Sequence, residues 1–303
     1  MKRLGSKRVM LVTDPKMSES DSVKIAIKSL ETYGIDVILF DQVSVEPTDV
    51  SFKEAIAFSQ RDVFDGYVAV GGGSSIDTAK AANLYATYPA EFFTYVNSPI
   101  GEGVPVPGIL KPLIAIPTTA GTGSETTGVA IFDLLNIKAK TGISHRYLRP
   151  TMGLVDPENV RTLPQMVISC SGLDVLSHGL ESYTAIPFSG RLASENPSVR
   201  SPYQGANPIS DIWSLKAIEM VSKNIVKAYQ DPKDMLAKGE MLLAATFAGF
   251  GFGNAGVHLP HGMSYPVAGR VKEFLPKDYP SGHSMVPHGM SVILNAPAVF
   301  RFT

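Results

Sequence analysis

Tyr67-Val68-Ala69-Val70-Gly71-Gly72-Gly73-Ser74-Ser75-Ile76-Asp77 changes texture twice. A short apolar run rich in β-branched residues, which reads as a strand over Tyr67 to Val70, passes through three glycines into a helix expected over Ser75 to Tyr88. Strand, glycine turn and helix in that order make one unit of a parallel α/β layer. The glycines would let backbone N–H groups approach a phosphate, and the helix start adds favourable partial charge. Gly72, Gly73, Ser74 and Asp77 are therefore cofactor candidates, although the turn is not the G-x-G-x-x-G fingerprint.

The same alternation extends outward from this unit. Upstream, Val9 to Thr13 reads as a strand, Ser18 to Tyr33 as a helix that Gly34 ends, Asp36 to Phe40 as a strand and Ser51 to Gln60 as a helix. Downstream, Pro112 to Ile116 is one more short apolar strand. The pattern predicts a doubly wound, largely parallel α/β domain over 1–156. From about Asp156 β-branched runs thin out and helical periods take over, so 157–303 is expected to be a mainly α-helical domain. Ile218, Val221, Ile225 and Tyr229 mark one apolar face there, with Lys216, Glu219, Lys223 and Lys227 largely opposite.

With 303 residues the chain can bury two cores. A net charge of −1 gives no sign of a nucleic-acid or acidic-membrane partner. Cys170 is the only cysteine, so no internal disulfide can form. The basic start, Met1 to Arg8, lacks the apolar core of a signal peptide. The longest uncharged run, Met241 to Val257, is glycine-rich and roughly 17 residues long, short of the roughly 20 of a spanning helix. Buried helices are expected there. Between Pro187 and Pro208 lies a Pro/Ser/Asn/Gly stretch too long for an ordinary connection, either a floppy insertion or a lid over a site.

Two further elements suit a nucleotide. Asp41, at the end of the second strand, is placed where a carboxylate could accept hydrogen bonds from a ribose diol, which would disfavour the extra phosphate of NADP; a plain turn residue is the alternative. The acidic residue here precedes the glycine turn, unlike the common dinucleotide unit. The loop Pro117 to Thr127 concentrates hydroxyls and glycines, with Thr118, Thr119, Thr122, Ser124 and Thr127 as candidates for phosphate, ribose or carboxamide contacts. Lys140 could add a positive charge near the cofactor.

The helical half carries a different chemistry. In a helix spanning Ser171 to Tyr183, Asp174 and His178 stand one turn apart on one face, where they form either an exposed polar pair or half of a metal site. Leu259-Pro260-His261-Gly262-Met263 and Val286-Pro287-His288-Gly289-Met290 repeat a Pro-His-Gly-Met motif in which proline and glycine fix the presentation of the histidine. Asp174, His178, His261 and His288 together would make a one-carboxylate, three-imidazole donor set, suited to Fe(II) or Zn(II).

As an ordered set these motifs resemble the iron-containing alcohol dehydrogenase family, whose fold is like that of dehydroquinate synthase. The likeness rests on Asp41 with Val45-Glu46-Pro47-Thr48, the Gly-Gly-Gly-Ser turn with Asp77 and Lys80, the Gly-Thr-Gly-Ser-Glu loop, Lys140, Asp156-Pro157, the Asp-x3-His helix and both late histidines. It implies a tightly bound NAD(H) over the glycine turn and a divalent iron on Asp174, His178, His261 and His288. It extends, through Gly123 to Phe132, Glu181 to Pro187, Tyr203 to Trp213 and Gly251 to His258, to a mitochondrial branch of the family. That branch oxidises 4-hydroxybutyrate to succinate semialdehyde while reducing 2-oxoglutarate to 2-hydroxyglutarate.

The resemblance thus implies hydroxy acid and oxo acid substrates, a hydride passed to and from nicotinamide where the two domains meet, and a mitochondrial location without a visible presequence. No nucleic-acid or membrane partner is expected, and a homo-oligomer stays open. Many family members carry a histidine where Tyr265 stands, close to the nicotinamide; Tyr265 and His258 are the candidate stand-ins as proton carriers. The stretch from Arg270 to Ser284 is longer than in short-loop relatives, and the chain resembles an internal portion of such an enzyme, with part of the helical wall absent. The alternatives are an NAD-dependent primary-alcohol dehydrogenase and an inactive nucleotide-binding fragment.

Overall fold

The computed structural model describes residues 1–192, 200–279 and 284–303. They form two compact units, one of residues 1–118 with 128–154, the other of residues 119–127 with 155–303. The loop 119–127, expected in the α/β domain, therefore clusters with the helices, and the α/β unit ends at Leu154.

The first unit holds a parallel five-stranded sheet in the order β2-β1-β3-β4-β7, from Asp36–Phe40, Arg8–Val12, Gly66–Gly71, Leu113–Pro117 and Met152–Gly153. Met10 faces Ile38 on one side and Tyr67 on the other, and Val68 faces Ile114. Helices α1 (Asp21–Thr32), α2 (Asp49–Gln60) and α3 (Gly73–Thr87) alternate with the strands as the apolar pattern predicts. Phe40, Phe64, Tyr67 and Ile76 pack between the sheet and α2 and α3, while Val9, Leu11, Val68 and Val70 face α1 through Val23. Local chemistry sets the helix limits. Thr48 and Ser51 form a reciprocal capping box at the start of α2, and Gly34, with φ +72°, takes the left-handed turn after α1.

The alternating pattern did not reveal an antiparallel hairpin, β5 (Val129–Leu134) with β6 (Ala139–Ser144). Its burial alternates along β5, with Ala130, Phe132 and Leu134 inward. β6 carries Lys140 and Gly142 at buried positions and so shows no such signal in sequence.

The second unit is built on α4 (Gln165–Thr184), α5 (Pro208–Gln230) and α6 (Met235–Ala255), followed by α7 (Leu259–Gly269), α8 (His288–Ile293) and α9 (Ala296–Phe302). Asn207 caps α5 ahead of Pro208, and Asp234 caps α6 through the Ala237 N–H at 2.8 Å. Of the predicted α5 face, Val221 is buried and Ile218 and Ile225 are half-buried, but Tyr229 is exposed and Ala228 takes the inward place. The glycine-rich run lies in buried α6, against which the loop 119–127 packs. A side chain at Gly249 would meet Thr126, and one at Gly123 would meet the backbone of Ala245 and Gly249. No single helix among the described residues is long and apolar enough to cross a membrane. The proposed lid stretch falls partly on 193–199, outside the described residues; its far flank is tied to the end of α6 by Gln204 and Gly205 N–H groups on Asn254 and Ala255 carbonyls. The long segment after Arg270 likewise includes 280–283, outside the described residues.

Candidate metal centre

Four side chains from three helices converge in the second unit. Asp174 and His178 lie one turn apart on α4, His261 in the first turn of α7, and His288 at the start of α8. The Nε2 atoms of His178, His261 and His288 stand 3.9, 3.5 and 3.9 Å from Asp174 Oδ1. Asp174, His178 and His261 are buried, and their ligand atoms lie within 4.8 Å of one another. His288 closes the group from a more open side, with 24% of its side chain exposed.

These separations fit a cation. Donors bonded to one divalent ion at ~2.0–2.2 Å stand about 3–4 Å apart. Asp174 Oδ1 and His261 Nε2 are both buried and make no hydrogen bond, a costly state for two polar atoms unless a further group satisfies them. The exposed-pair alternative for Asp174 and His178 therefore fails on burial.

Packing sets the positions of the rings. The His178 ring stacks on Phe252 of α6 at 4.0 Å between centroids and lies 4.6 Å from the His261 ring, while His261 and His288 meet at 5.3 Å. Gly172 and Gly179 lie where side chains would meet Ile225 and Ile218, so α5 lies close along α4. Gly289 performs the same service for α8, since a Cβ there would collide with the Cys170 carbonyl oxygen of α4.

Charge is distributed to match. Burial opposes ionisation of Asp174, but His178, His288 and His261 outweigh it and hold the carboxyl well below its ordinary value. Burial pushes His178 down to about 4, so its imidazole is neutral at physiological pH. Burial also opposes charge on His261, but the neighbouring carboxylates of Asp174 and Glu181 push it up to about 9.

Glu181 had no role in the sequence-based site. Fully buried, it brings Oε1 to 2.6 Å from His261 Nδ1, and its Oε2 accepts the His258 N–H at 2.7 Å. Burial raises the cost of its charge, yet the bonds from His261 and His258 hold its carboxyl below the ordinary value. Its spacing on α4, seven residues after Asp174 and three after His178, was the available signal. Phe252 offered no local signal, and the motif that contains Gly289 did not show its contact with α4. Of the two proton-carrier candidates, His258 occupies the N-cap position of α7 and turns its ring away to place Nε2 2.8 Å from Thr184 Oγ1, and Tyr265 lies half-buried one turn beyond His261.

The nucleotide candidates divide between the units. Asp41 follows β2, Gly71 to Gly73 join β3 to α3, and Thr118 follows β4 with its N–H on the Gly71 carbonyl at 2.9 Å. All lie at the C-terminal edge of the parallel sheet, where strand order reverses around β1 and open α/β sheets bind ligands. Ser74 opens α3 and its carbonyl accepts the Thr78 hydroxyl. Two others are already engaged. Asp77 accepts from Lys80 Nζ at 3.1 Å and from the Ile131 N–H at 3.0 Å, tying α3 to β5. Lys140 is buried between Glu46 at 2.8 Å and Asp133 at 3.1 Å. Thr119, Thr122, Ser124 and Thr127 belong to the second unit, where the Thr122 hydroxyl accepts from the Ser124 N–H and Ser124 and Thr127 are buried.

An α/β unit with a glycine turn, followed by helices that gather one carboxylate and three imidazoles, is the architecture of a metal-dependent dehydrogenase, and the chain belongs to the iron-containing alcohol dehydrogenase family. The model of that family matches residues 1–157, and the model for the C-terminal part of the Fe-containing alcohol dehydrogenase family matches residues 203–303. Within it, the chain is 55% identical to the mitochondrial hydroxyacid-oxoacid transhydrogenase of Mus musculus, over 100% of this chain and 66% of that protein. The Homo sapiens protein of that name is 54% identical, over 100% of this chain and 65% of its own length. The chain thus spans just under two thirds of the length of these relatives. Among solved structures, a 1,3-propanediol oxidoreductase superposes with a TM-score of 0.82 at 26% identity, over 99% of this chain and 69% of its own. The iron-containing alcohol dehydrogenase of Thermococcus thioreducens gives the same score at 29% identity, over 99% and 70%.

Proposed function

We propose that this chain carries the hydride-transfer centre of a hydroxyacid-oxoacid transhydrogenase. It would oxidise 4-hydroxybutyrate to succinate semialdehyde and reduce 2-oxoglutarate to 2-hydroxyglutarate on one retained NAD(H), in mitochondria. The observation that carries the chemistry is the meeting of Asp174 Oδ1 with three imidazole Nε2 atoms at 3.5–3.9 Å. The substrate class is supported by the 55% identity to proteins named for that reaction.

Asp174, His178, His261 and His288 would hold Fe(II), with Zn(II) the alternative. Bound there, the ion supplies Lewis acidity toward an alcohol or carbonyl oxygen, and NAD(H) supplies the hydride acceptor and donor. The residues do the rest. Asp174 contributes the negative charge that offsets the cation, and neutral His178 donates without first losing a proton. Phe252 and the burial of α4 keep water from the inner side of the donor set. Asp41 would take the ribose diol and the turn Gly72-Gly73-Ser74 the phosphates, and the hydroxyls of Thr118, Thr119, Thr122, Ser124 and Thr127 are the remaining nucleotide candidates. His258, bonded to Thr184, and Tyr265 are the proposed proton carriers. Asp77 and Lys140 support the nucleotide unit through Ile131, Glu46 and Asp133 rather than by a free charge.

The test is a coupled assay with 4-hydroxybutyrate and 2-oxoglutarate, no NAD added, with and without Fe(II). Iron-dependent formation of 2-hydroxyglutarate with parallel double-reciprocal lines is expected, because two half-reactions share one cofactor. Intersecting lines with complete dependence on added NAD would replace this function by a primary-alcohol dehydrogenase, a second reading favoured by the superposition on 1,3-propanediol oxidoreductase. No turnover of either substrate class would leave a nucleotide-binding chain.

A further inference from the structure

We propose that Glu181 is the positioning residue of the metal centre: its carboxylate fixes the Nδ1–H tautomer of His261 and caps helix α7, holding ring and helix start as one piece. The inference rests on the metal-centre reading above and adds a residue to it.

Three bonds converge on this carboxylate. Oε1 is 2.6 Å from His261 Nδ1, and Oε2 accepts the N–H groups of His258 at 2.7 Å and His261 at 3.4 Å. An ionised carboxylate only accepts, so the proton of this pair lies on Nδ1. Nε2, 3.5 Å from Asp174 Oδ1, is then the nitrogen that offers its lone pair once a cation takes the place of its proton. A histidine ring turned by the tautomer in this way is the arrangement that a metal requires of a ligand imidazole.

The same group completes α7. Its N-cap residue, His258, makes no side-chain cap, and Pro260 has no N–H to offer. Glu181 therefore supplies from α4 the acceptor that a local serine or aspartate usually provides, and its charge suits the positive end of the helix. His261 is consequently held at both its backbone and its ring by one side chain, which itself sits three residues beyond His178 on α4.

A neutral isostere cannot do both. If glutamine at 181 presents its amide oxygen to the two backbone N–H groups, its NH2 faces Nδ1. The ring proton then moves to Nε2 and blocks the ligand atom. If the amide is flipped, its NH2 points at the backbone donors and the helix cap is lost. Either way Nε2 loses its fixed presentation.

The experiment compares Co(II) binding and thermal melting of the wild-type chain, Glu181→Gln and a control, Ser214→Ala, which removes a buried Ser214–Ser182 hydroxyl pair of 2.7 Å on the same helix pair. Co(II) is used because its visible absorption reports ligand geometry. Glu181→Gln should bind Co(II) about 10- to 100-fold more weakly, the range seen when a partner of a metal ligand is removed, and with altered visible bands. Ser214→Ala should lower the melting temperature without moving affinity or bands. Wild-type affinity and bands in Glu181→Gln would overturn the proposal, as would weaker binding with unchanged bands and a matching fall in melting temperature. A wild-type chain that binds no Co(II) would overturn the metal centre itself, which separates the two failures. Should Glu181→Gln not fold, the Zn(II)-loaded wild type labelled with 15N-histidine decides, with His261 assigned by comparison with His261→Gln. A proton on Nδ1 and a bare Nε2 support the role, and a proton on Nε2 refutes it.

Discussion

Two glycines in identical tetrapeptides should respond in opposite ways to the same substitution. Gly289 and Gly262 each follow the histidine of a Pro-His-Gly-Met segment. A Cβ at Gly289 would fall on the Cys170 carbonyl oxygen and lie 2.8 Å from Asp174 Cβ, where ordinary contact begins at 3.4 Å. The shortfall against Asp174 alone is thus 0.6 Å (3.4 less 2.8), and the overlap with the carbonyl is larger. Neither obstacle is the far end of a flexible side chain, so α8 must retreat from α4. His288, one residue before Gly289, retreats with it, whereas a metal site tolerates displacements of only about 0.5 Å. Gly289→Ala should therefore cost ~1–3 kcal/mol, a fall of roughly 3–10 °C in Tm. It should also weaken Fe(II) or Co(II) binding about 10- to 100-fold, as when the support of a ligand is disturbed. Gly262 has nothing within 4 Å of the corresponding position. Gly262→Ala should leave metal affinity unchanged and be neutral or stabilising by up to ~1 kcal/mol, because glycine inside a helix is entropically costly. Melting followed by circular dichroism and an anaerobic competition titration against a chelating dye measure both quantities. Equal behaviour of the two variants, or full metal affinity in Gly289→Ala, would refute the packing argument.

In the metal-free protein His261 holds a proton up to pH of about 9 while His178 is already neutral. Metal binding near neutral pH should accordingly release about one proton from the Asp174–His178–His261 group, and affinity should rise with pH until about 9. Calorimetry in buffers of differing ionisation enthalpy tests this, and zero net release would contradict the His261 assignment. Lys140→Met should destabilise the α/β unit by about 1–3 kcal/mol in urea unfolding, less than for a wholly buried pair because Glu46 and Asp133 are partly exposed. The double variant Lys140→Met/Glu46→Gln should recover part of that loss. Gly123→Ala, at φ +58° and tight against Ala245 and Gly249, should cost ~1–2 kcal/mol or more and loosen the loop 119–127, seen as faster amide exchange in that loop.

Much of the α/β unit was legible because strand and helix periods differ and turn residues punctuate them. β2 was expected over the residues it occupies, and Gly34 ends α1 as read. The hairpin β5–β6 escaped because β6 places a lysine and a glycine inward, and burial there is made affordable only by Glu46 and Asp133 from elsewhere in the unit. Asp77 illustrates the same limit. Its place at the helix opening suggested a ligand contact, but the hairpin backbone takes one of its oxygens.

Sequence alone determined which residue types could meet in the helical half, since one-turn spacing puts Asp174 and His178 on one face and a flanking proline and glycine fix how a histidine is presented. It could not determine that α7 and α8 bring His261 and His288 within 3.5 and 3.9 Å of Asp174 Oδ1. Nor could it say which of two identical tetrapeptides is wedged against α4 and which faces open space. It did not single out Glu181 among the carboxylates of the chain. Those matters depend on contacts between segments about eighty to one hundred and twenty residues apart, from the 80-residue separation of Glu181 and His261 upward. Helical periodicity reports only the face of a single helix, and close packing decides what that face meets.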